Sequence, residues 1–312
     1  MIPPANRPYA LGVTGYPLGH SLSPRLHAAA LRASGLAGEY RLYPIPPLPA
    51  GRESLEALIA SIRHGRLDGL NVTIPHKQAV TSYLDELTLL AQQIGAVNTI
   101  YCNGNRLVGD NTDAPGFMAD LQKQSSRAGT PQAALVLGAG GSTRAVVHAL
   151  LTAGWQVTIA ARRPEMALEI KDSLSFIHQP CEVIGLESLP EYVLNLDTLQ
   201  PISYAQNTCS GRGDHRPLSL IVNTTPVGMA PDSTHSPWPK DLPFPGDAFV
   251  YDLVYNPVDT ALVCAARSAG LLAVSGLGML VEQAALSFER WTGFHPSIDA
   301  MRQAVLIHTG VT

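Results

Sequence analysis

Lys77 and Asp113 are the residues of this chain best suited to moving a proton. Lys77 closes the run Asn71-Val72-Thr73-Ile74-Pro75-His76-Lys77, and Asp113 closes Gly109-Asp110-Asn111-Thr112-Asp113. An ammonium group is the right acid to protonate a carbonyl oxygen as hydride reaches the carbon, and a neighbouring carboxylate can orient it and share its proton. A lysine standing alone is ordinarily just a solvated charge, so the pairing matters. A further polar cluster runs from Gly15 to Pro24 and places the hydroxyls of Ser21 and Ser23 at the start of a helix. Both can hydrogen-bond one carboxylate; equally, Ser23 can simply cap that helix, with Pro24 in its first turn.

The second chemical signal lies in residues 133–163, AALVLGAGGSTRAVVHALLTAGWQVTIAARR. A short apolar run stops at Gly138-Ala139-Gly140-Gly141, an apolar-periodic helix follows, and a second apolar strand ends in two arginines. This β-α-β unit with a glycine-rich turn is built to bring backbone against a pyrophosphate at a helix N-terminus. An NAD site usually has an acidic residue about 20 positions past the first glycine, for the ribose hydroxyls. Here Ala160, Ala161, Arg162 and Arg163 stand there, and guanidinium groups suit a 2′-phosphate. NADP is therefore the expected dinucleotide, although Arg162 and Arg163 can also be read as a solvated strand end. Glu165 is the nearest carboxylate.

The elements that must position these groups follow from apolar periodicity. Strand-like Ala10–Gly15, a helix from Ser23, strand-like Tyr40–Ile45, a helix with Leu55, Leu58, Ile59 and Ile62 on one face, and strand-like Leu70–Ile74 predict an α/β domain with a mostly parallel sheet. The three polar clusters sit where strands hand over to loops, which is where open α/β sheets bind ligands. The dinucleotide unit begins only near Ala133, so residues 1–113 form a separate substrate domain and 114–276 a Rossmann-like, doubly wound domain. Helix-like Glu165–Leu174 and Asp259–Ala269 and strand-like Leu218–Val222 and Phe249–Leu253 extend the second pattern. Residues Glu191–Pro217 interrupt it as a polar, aperiodic surface excursion. Two terminal helices, Leu277–Trp291 and Ser297–His308, are expected to pack back on the first domain.

Composition narrows the function classes. With 312 residues and 46% hydrophobic content, the chain can build two cores. A net charge of −4 and no basic run beyond Arg162-Arg163 argue against a nucleic-acid partner. No apolar stretch has membrane-spanning length and the N-terminus lacks a signal-peptide layout, so a cytoplasmic location is expected. Cys102, Cys181, Cys209 and Cys264 are scattered like reduced thiols, and the histidines show no metal-ligand spacing.

Eight motifs in series, GYPLGHSLSP, NVTIPHK, GAVNT, GDNTDAPGF, VLGAGGSTRA, VNTTPVGM, YDLVYNP and GLGMLVEQAA, resemble those of the shikimate dehydrogenase family and span Gly15 to Ala285. The resemblance implies NADPH-dependent reduction of 3-dehydroshikimate to shikimate, in aromatic amino acid biosynthesis, by a monomer or homodimer. It implies that Ser21 and Ser23 hold the substrate carboxylate, that Thr73, Asn98, Tyr255 and Gln283 contact the ring, and that Lys77 is the acid/base with Asp113 as its partner. It further implies that Gly138, Ala139, Gly140, Gly141 and Ser142 bind the pyrophosphate, Arg162 the 2′-phosphate, and Leu253, Gly276 and Met279 the nicotinamide end. Arg163 joins Arg162 by its charge and position alone. The terminal segment 277–312 would complete the substrate domain. Two departures stand out: Ala161-Arg162-Arg163 replaces the family's common Asn-Arg-Thr, and the 191–217 stretch is long. A quinate/shikimate dehydrogenase using NAD and a non-catalytic dinucleotide-binding regulator are the alternatives.

Overall fold

The computed structural model describes residues 7–124, 132–196 and 217–309. Among them the chain forms two six-stranded sheets. The first is built from β1 (Tyr9–Gly15), α1 (Ser23–Ala33), β2 (Gly38–Pro44), α2 (Arg52–Arg63), β3 (Gly69–Val72), a 3₁₀ turn at Ala79–Tyr83, β4 (Glu86–Leu87), α3 (Leu89–Ile94), β5 (Thr99–Asn103) and β6 (Arg106–Asp110), in the order β2-β1-β3-β5-β6-β4. β1 runs parallel to β2 and β3, and β4 parallel to β6. β5 is antiparallel to both neighbours, because it turns straight back into β6 as a hairpin through Gly104, whose φ of +60° suits a glycine. The parallel expectation therefore holds except at this hairpin, which the apolar pattern did not announce.

After α4 (Asp113–Gln124) come β7 (Ala133–Leu137), α5 (Gly141–Thr152), β8 (Gln156–Ala161), α6 (Pro164–Ser173), β9 (Cys181–Gly185), α7 (Leu189–Asn195), β10 (Leu218–Asn223), β11 (Phe249–Asp252), α8 (Ala261–Ser268) and β12 (Ala273–Ser275). The order β12-β11-β10-β7-β8-β9, parallel throughout, is the doubly wound arrangement, with its direction of winding reversing between β7 and β10. The strands read as near-continuous apolar runs because helices bury both faces. The expected excursion needs correcting at its start: 191–195 belongs to α7, which buries Leu189 and Val193. Of the rest, residues 197–216 lie outside the described ones.

α9 (Leu277–Thr292) and α10 (Ile298–Thr309) return to the first sheet, as the sequence predicts. Leu277, Val281, Ala284, Phe288, Met301 and Val305 join β1 and α1 side chains in one buried cluster. Trp291, fully buried, donates from its ring nitrogen to the Ile100 carbonyl at 3.1 Å and lies over Gly69, where any side chain would collide with the indole. α9 also packs along α4, which in turn packs on α5. At Gly116 an added Cβ would come within 2.7 Å of the Gln283 backbone, so the glycine permits the close crossing of α4 and α9. No helix of the described residues is long and apolar enough to cross a membrane.

Candidate active site

Lys77 is delivered by the end of β3. The strand stops at Val72, before Pro75, which has no N–H to offer a ladder. The turn that follows is pinned at each step: Thr73 N–H donates to Thr14 O at 2.9 Å, His76 N–H to Thr73 O at 2.9 Å, and Val97 N–H to Lys77 O at 2.8 Å. The buried His76 ring shares a hydrogen bond with Ile45 O at 2.8 Å. The main chain is thus fixed on both sides of Lys77, and the residue is only 8% exposed.

Asp113 opens α4, and Asn111 sets its direction by accepting from the Asp113 and Ala114 N–H groups at 3.1 and 3.3 Å. Lys77 Nζ donates to Asp113 Oδ2 at 2.6 Å and to Ser142 Oγ at 3.0 Å. Asn98 Nδ2 donates to the other carboxylate oxygen, Oδ1, at 2.8 Å. A charge this buried is tolerable only when paired and hydrogen-bonded, and both partners meet that condition.

The Asn98 amide is largely committed within the protein. Its Nδ2 also lies 2.9 Å from Thr112 Oγ1 and 3.4 Å from Gln283 Oε1, while its Oδ1 accepts from Thr112 N–H at 2.8 Å. Gln283 donates to Leu280 O at 2.8 Å. Behind them runs a buried relay the sequence reading missed: Tyr40 Oη donates to Asn71 Oδ1 at 2.7 Å, and Asn71 Nδ2 to Asn98 O and Ser287 Oγ at 3.1 and 3.0 Å. Asn71 was visible in the motif; Tyr40 and Ser287 sit on β2 and α9, and only the packing joins them.

At the mouth of α1, one reading is overturned. Ser23 does not cap the helix: Leu22 occupies the cap position, and no side chain closes it. The Ser23 hydroxyl instead lies beside that of Tyr40, lowering the latter's pKa, though burial pushes the phenol well above its usual value. Ser21 Oγ accepts from Ser23 N–H at 3.4 Å. Among the described residues the Thr73 hydroxyl has no hydrogen-bond partner. Tyr255, on the loop after β11, packs against the first sheet's cluster, and burial raises its phenol. Asp252 secures that loop, accepting from Asn223 Nδ2 at 2.8 Å, Val254 N–H at 3.0 Å and Thr260 Oγ1 at 2.7 Å. Its carboxyl is raised by burial, against these three donors.

The glycine-rich turn lies at the switch point between β7 and β10. Gly138, with φ +120°, passes so close to Thr224 that an added Cβ would sit 2.6 Å from its Oγ1. Thr143 and Thr224 hydroxyls meet at 2.7 Å, and Thr224 Oγ1 donates to Leu137 O at 2.7 Å, so the turn is stitched to the end of β10. Gly140 N–H donates to Thr143 Oγ1 at 2.8 Å, while nothing stands within 4 Å of the space a Gly140 side chain would fill. The first-turn N–H groups of α5 have no intrahelical acceptors and face an open cradle, which fits a pyrophosphate. Arg162 and Arg163 follow β8, both exposed, with no ion pair among the described residues. Glu165 is exposed in the first turn of α6. Leu253 and Gly276 touch, since the Leu253 carbonyl occupies the space of any Gly276 side chain, and Met279 is buried in the first turn of α9.

Residues 13–100 match the shikimate dehydrogenase substrate binding domain, and residues 276–306 the shikimate 5′-dehydrogenase C-terminal domain. The NADP(+) shikimate dehydrogenase of Salinibacter ruber is 41% identical over 281 residues, 89% of this chain and 90% of that protein. This chain belongs to the shikimate dehydrogenase family. A second family member, from Carboxydothermus hydrogenoformans, is 38% identical over 94% of this chain and 95% of its own length. The crystal structure of the Thermus thermophilus shikimate 5-dehydrogenase with NADP(H) and shikimate aligns with a TM-score of 0.75 at 36% identity, covering 95% of this chain and 98% of that one. As in that family, the α/β architecture here combines two sheets with a Rossmann-like dinucleotide fold. Among the described residues no cluster of His, Cys, Asp or Glu side chains could hold a metal ion. Cys102, Cys181 and Cys264 are free thiols; Cys209 lies outside the described residues.

Proposed function

We propose that this chain is an NADP-dependent shikimate dehydrogenase, reducing 3-dehydroshikimate to shikimate and running in reverse with NADP⁺. The observation that carries the reading is the buried Lys77–Asp113 pair, held at 2.6 Å beside the first turn of α5. Its relatives' names support the substrate and cofactor. In this reading Ser21 and Ser23 bind the substrate carboxylate, and Thr73, Asn98, Tyr255 and Gln283 border the ring. Gly138, Ala139, Gly140 and Gly141 line the pyrophosphate cradle, with Ser142 beside them in the first turn of α5. Arg162 and Arg163 take the 2′-phosphate, and Leu253, Gly276 and Met279 border the nicotinamide. Residues 1–113 with 277–312 form the substrate domain, and 114–276 the NADP domain.

Bound NADPH supplies the hydride for C3 of the substrate. Lys77 gives a proton from Nζ to the C3 oxygen, so the ketone becomes a hydroxyl and the lysine a neutral amine beside the Asp113 carboxylate. Asp113 holds the amine in place, and solvent returns its proton; in the reverse direction the amine takes the hydroxyl proton. The two serine hydroxyls fix the far end of the substrate, which sets the distance from ketone to lysine. A cytoplasmic enzyme with small-molecule ligands, monomeric or dimeric and without a nucleic-acid partner, completes the proposal. The test is NADPH consumption, followed by absorbance, on adding 3-dehydroshikimate. No consumption by folded protein at saturating substrate would overturn it.

A further inference from the structure

Ser142 occupies an unexpected place. It stands in the first turn of α5, in the segment expected to hold a pyrophosphate, yet its hydroxyl is 3.0 Å from Lys77 Nζ. The contact is supported along the whole lysine stem: a Cβ on neighbouring Gly141 would lie 3.1 Å from Lys77 Cβ and 3.3 Å from its Cδ. Gly141 therefore has a second reason to be glycine, because the turn that cradles phosphate is also the wall along which the lysine extends.

We infer that Ser142 is a positioning residue for the Lys77 amine, fixing it from the dinucleotide side, rather than a phosphate ligand. The inference rests on the dehydrogenase reading above. An ammonium has three donors. Asp113 takes one at 2.6 Å and Ser142 a second at 3.0 Å, leaving the third as the one that can reach a substrate oxygen. Asp113 alone would leave Nζ free to swing about a single bond; a second, non-collinear partner from the opposite lobe removes that freedom. A hydroxyl also suits both states of the amine, since it accepts from the ammonium and can donate to the neutral nitrogen formed after proton transfer. The catalytic amine is then in position only when the two lobes stand in register, which ties proton transfer to the placement of the dinucleotide lobe.

Ser142→Ala and Ser142→Thr separate this role from the two others open to the residue. With Ser142→Ala, kcat for 3-dehydroshikimate reduction falls about tenfold, as for a lost interaction that orients a catalytic group. The dissociation constant for NADPH, read by fluorescence titration without substrate, and KM for 3-dehydroshikimate stay within about twofold of wild type. Ser142→Thr, which keeps the hydroxyl, restores most of kcat. A rise in the NADPH dissociation constant with kcat intact at saturating cofactor would overturn the inference in favour of phosphate binding. Loss of kcat in both variants together with a lowered unfolding temperature would overturn it in favour of a structural role. Wild-type protein inactive on 3-dehydroshikimate would instead remove the dehydrogenase reading itself.

Discussion

Lys77 can serve as an acid only because three separate pieces of chain converge on it. The residue is 8% exposed and its ammonium is bonded to Asp113 and Ser142, so removing it takes away the proposed proton donor and leaves the Asp113 carboxylate buried with Asn98 alone. Lys77→Ala is expected to lower kcat by about 10² to 10⁴ with a much smaller change in KM, the usual size of a lost general acid. Steady-state rates on 3-dehydroshikimate check this, and near-normal turnover would remove Lys77 from the reaction. In the proposed reading, Ser21 binds the other end of the substrate. Ser21→Ala should weaken substrate binding by about 1.5 to 3 kcal/mol, as for a lost hydrogen bond to a charge. An unchanged KM for 3-dehydroshikimate would exclude it from the site. For Arg162, exposed and without an ion pair among the described residues, replacement by Ala should raise KM for NADPH while leaving that for NADH nearly unchanged. Equal losses with both cofactors would show that the guanidinium does not read the 2′-phosphate.

Elements, rather than single residues, decide whether the site holds its shape. α9 is the clearest case: it brings Gln283 and Ser287 to the polar relay, places Met279 at its first turn, and anchors itself in the first sheet through Trp291. The indole is fully buried and hydrogen-bonded to Ile100 O, and it fills the space left by Gly69. Trp291→Ala is expected to destabilise the fold by about 3 to 5 kcal/mol through the cavity it opens, measured by denaturant unfolding. A loss well under about 1 kcal/mol would mean that α9 is held mainly by its contact with α4.

Across the whole molecule, a buried neutral histidine makes stability depend on pH. His27 of α1 stacks on Tyr40 of β2 with ring centroids 4.2 Å apart and leans on Trp291 of α9 at 5.2 Å, with neither ring nitrogen hydrogen-bonded among the described residues. Burial lowers its pKa to about 3; Asn71 alongside opposes this, but its side chain is engaged with Tyr40, Asn98 and Ser287. The folded state thus excludes a proton that the unfolded chain binds below about pH 6.5, and stability falls as pH drops from there toward 3. Between pH 7 and pH 5 this residue alone should remove about 2 kcal/mol. His27→Leu should flatten the pH dependence of the unfolding free energy by about that amount, and equal slopes in the two proteins would show that His27 is protonated or solvated in the fold.

The sequence alone determined the chemistry-bearing segments and most of the frame. The glycine-rich turn, the Arg162-Arg163 strand end, the run ending in Lys77 and the helices from Leu277 onward were legible because each depends on local rules: turn conformation, apolar period, and the strand-to-loop handover. The β5–β6 hairpin, the two-residue β4 and the short α3 were not, since elements that brief leave too little periodicity to read. Ser23 looked like a helix cap because hydroxyls favour that position locally; tertiary packing beside Tyr40 gave it another environment. Most of all, only the folded chain could bring Lys77, Asp113 and Ser142 within bonding distance, and join Tyr40, Asn71 and Ser287 in one relay. Such contacts link residues dozens to hundreds of positions apart, and it is the burial of the faces around them, not any local preference of the residues themselves, that fixes where they meet.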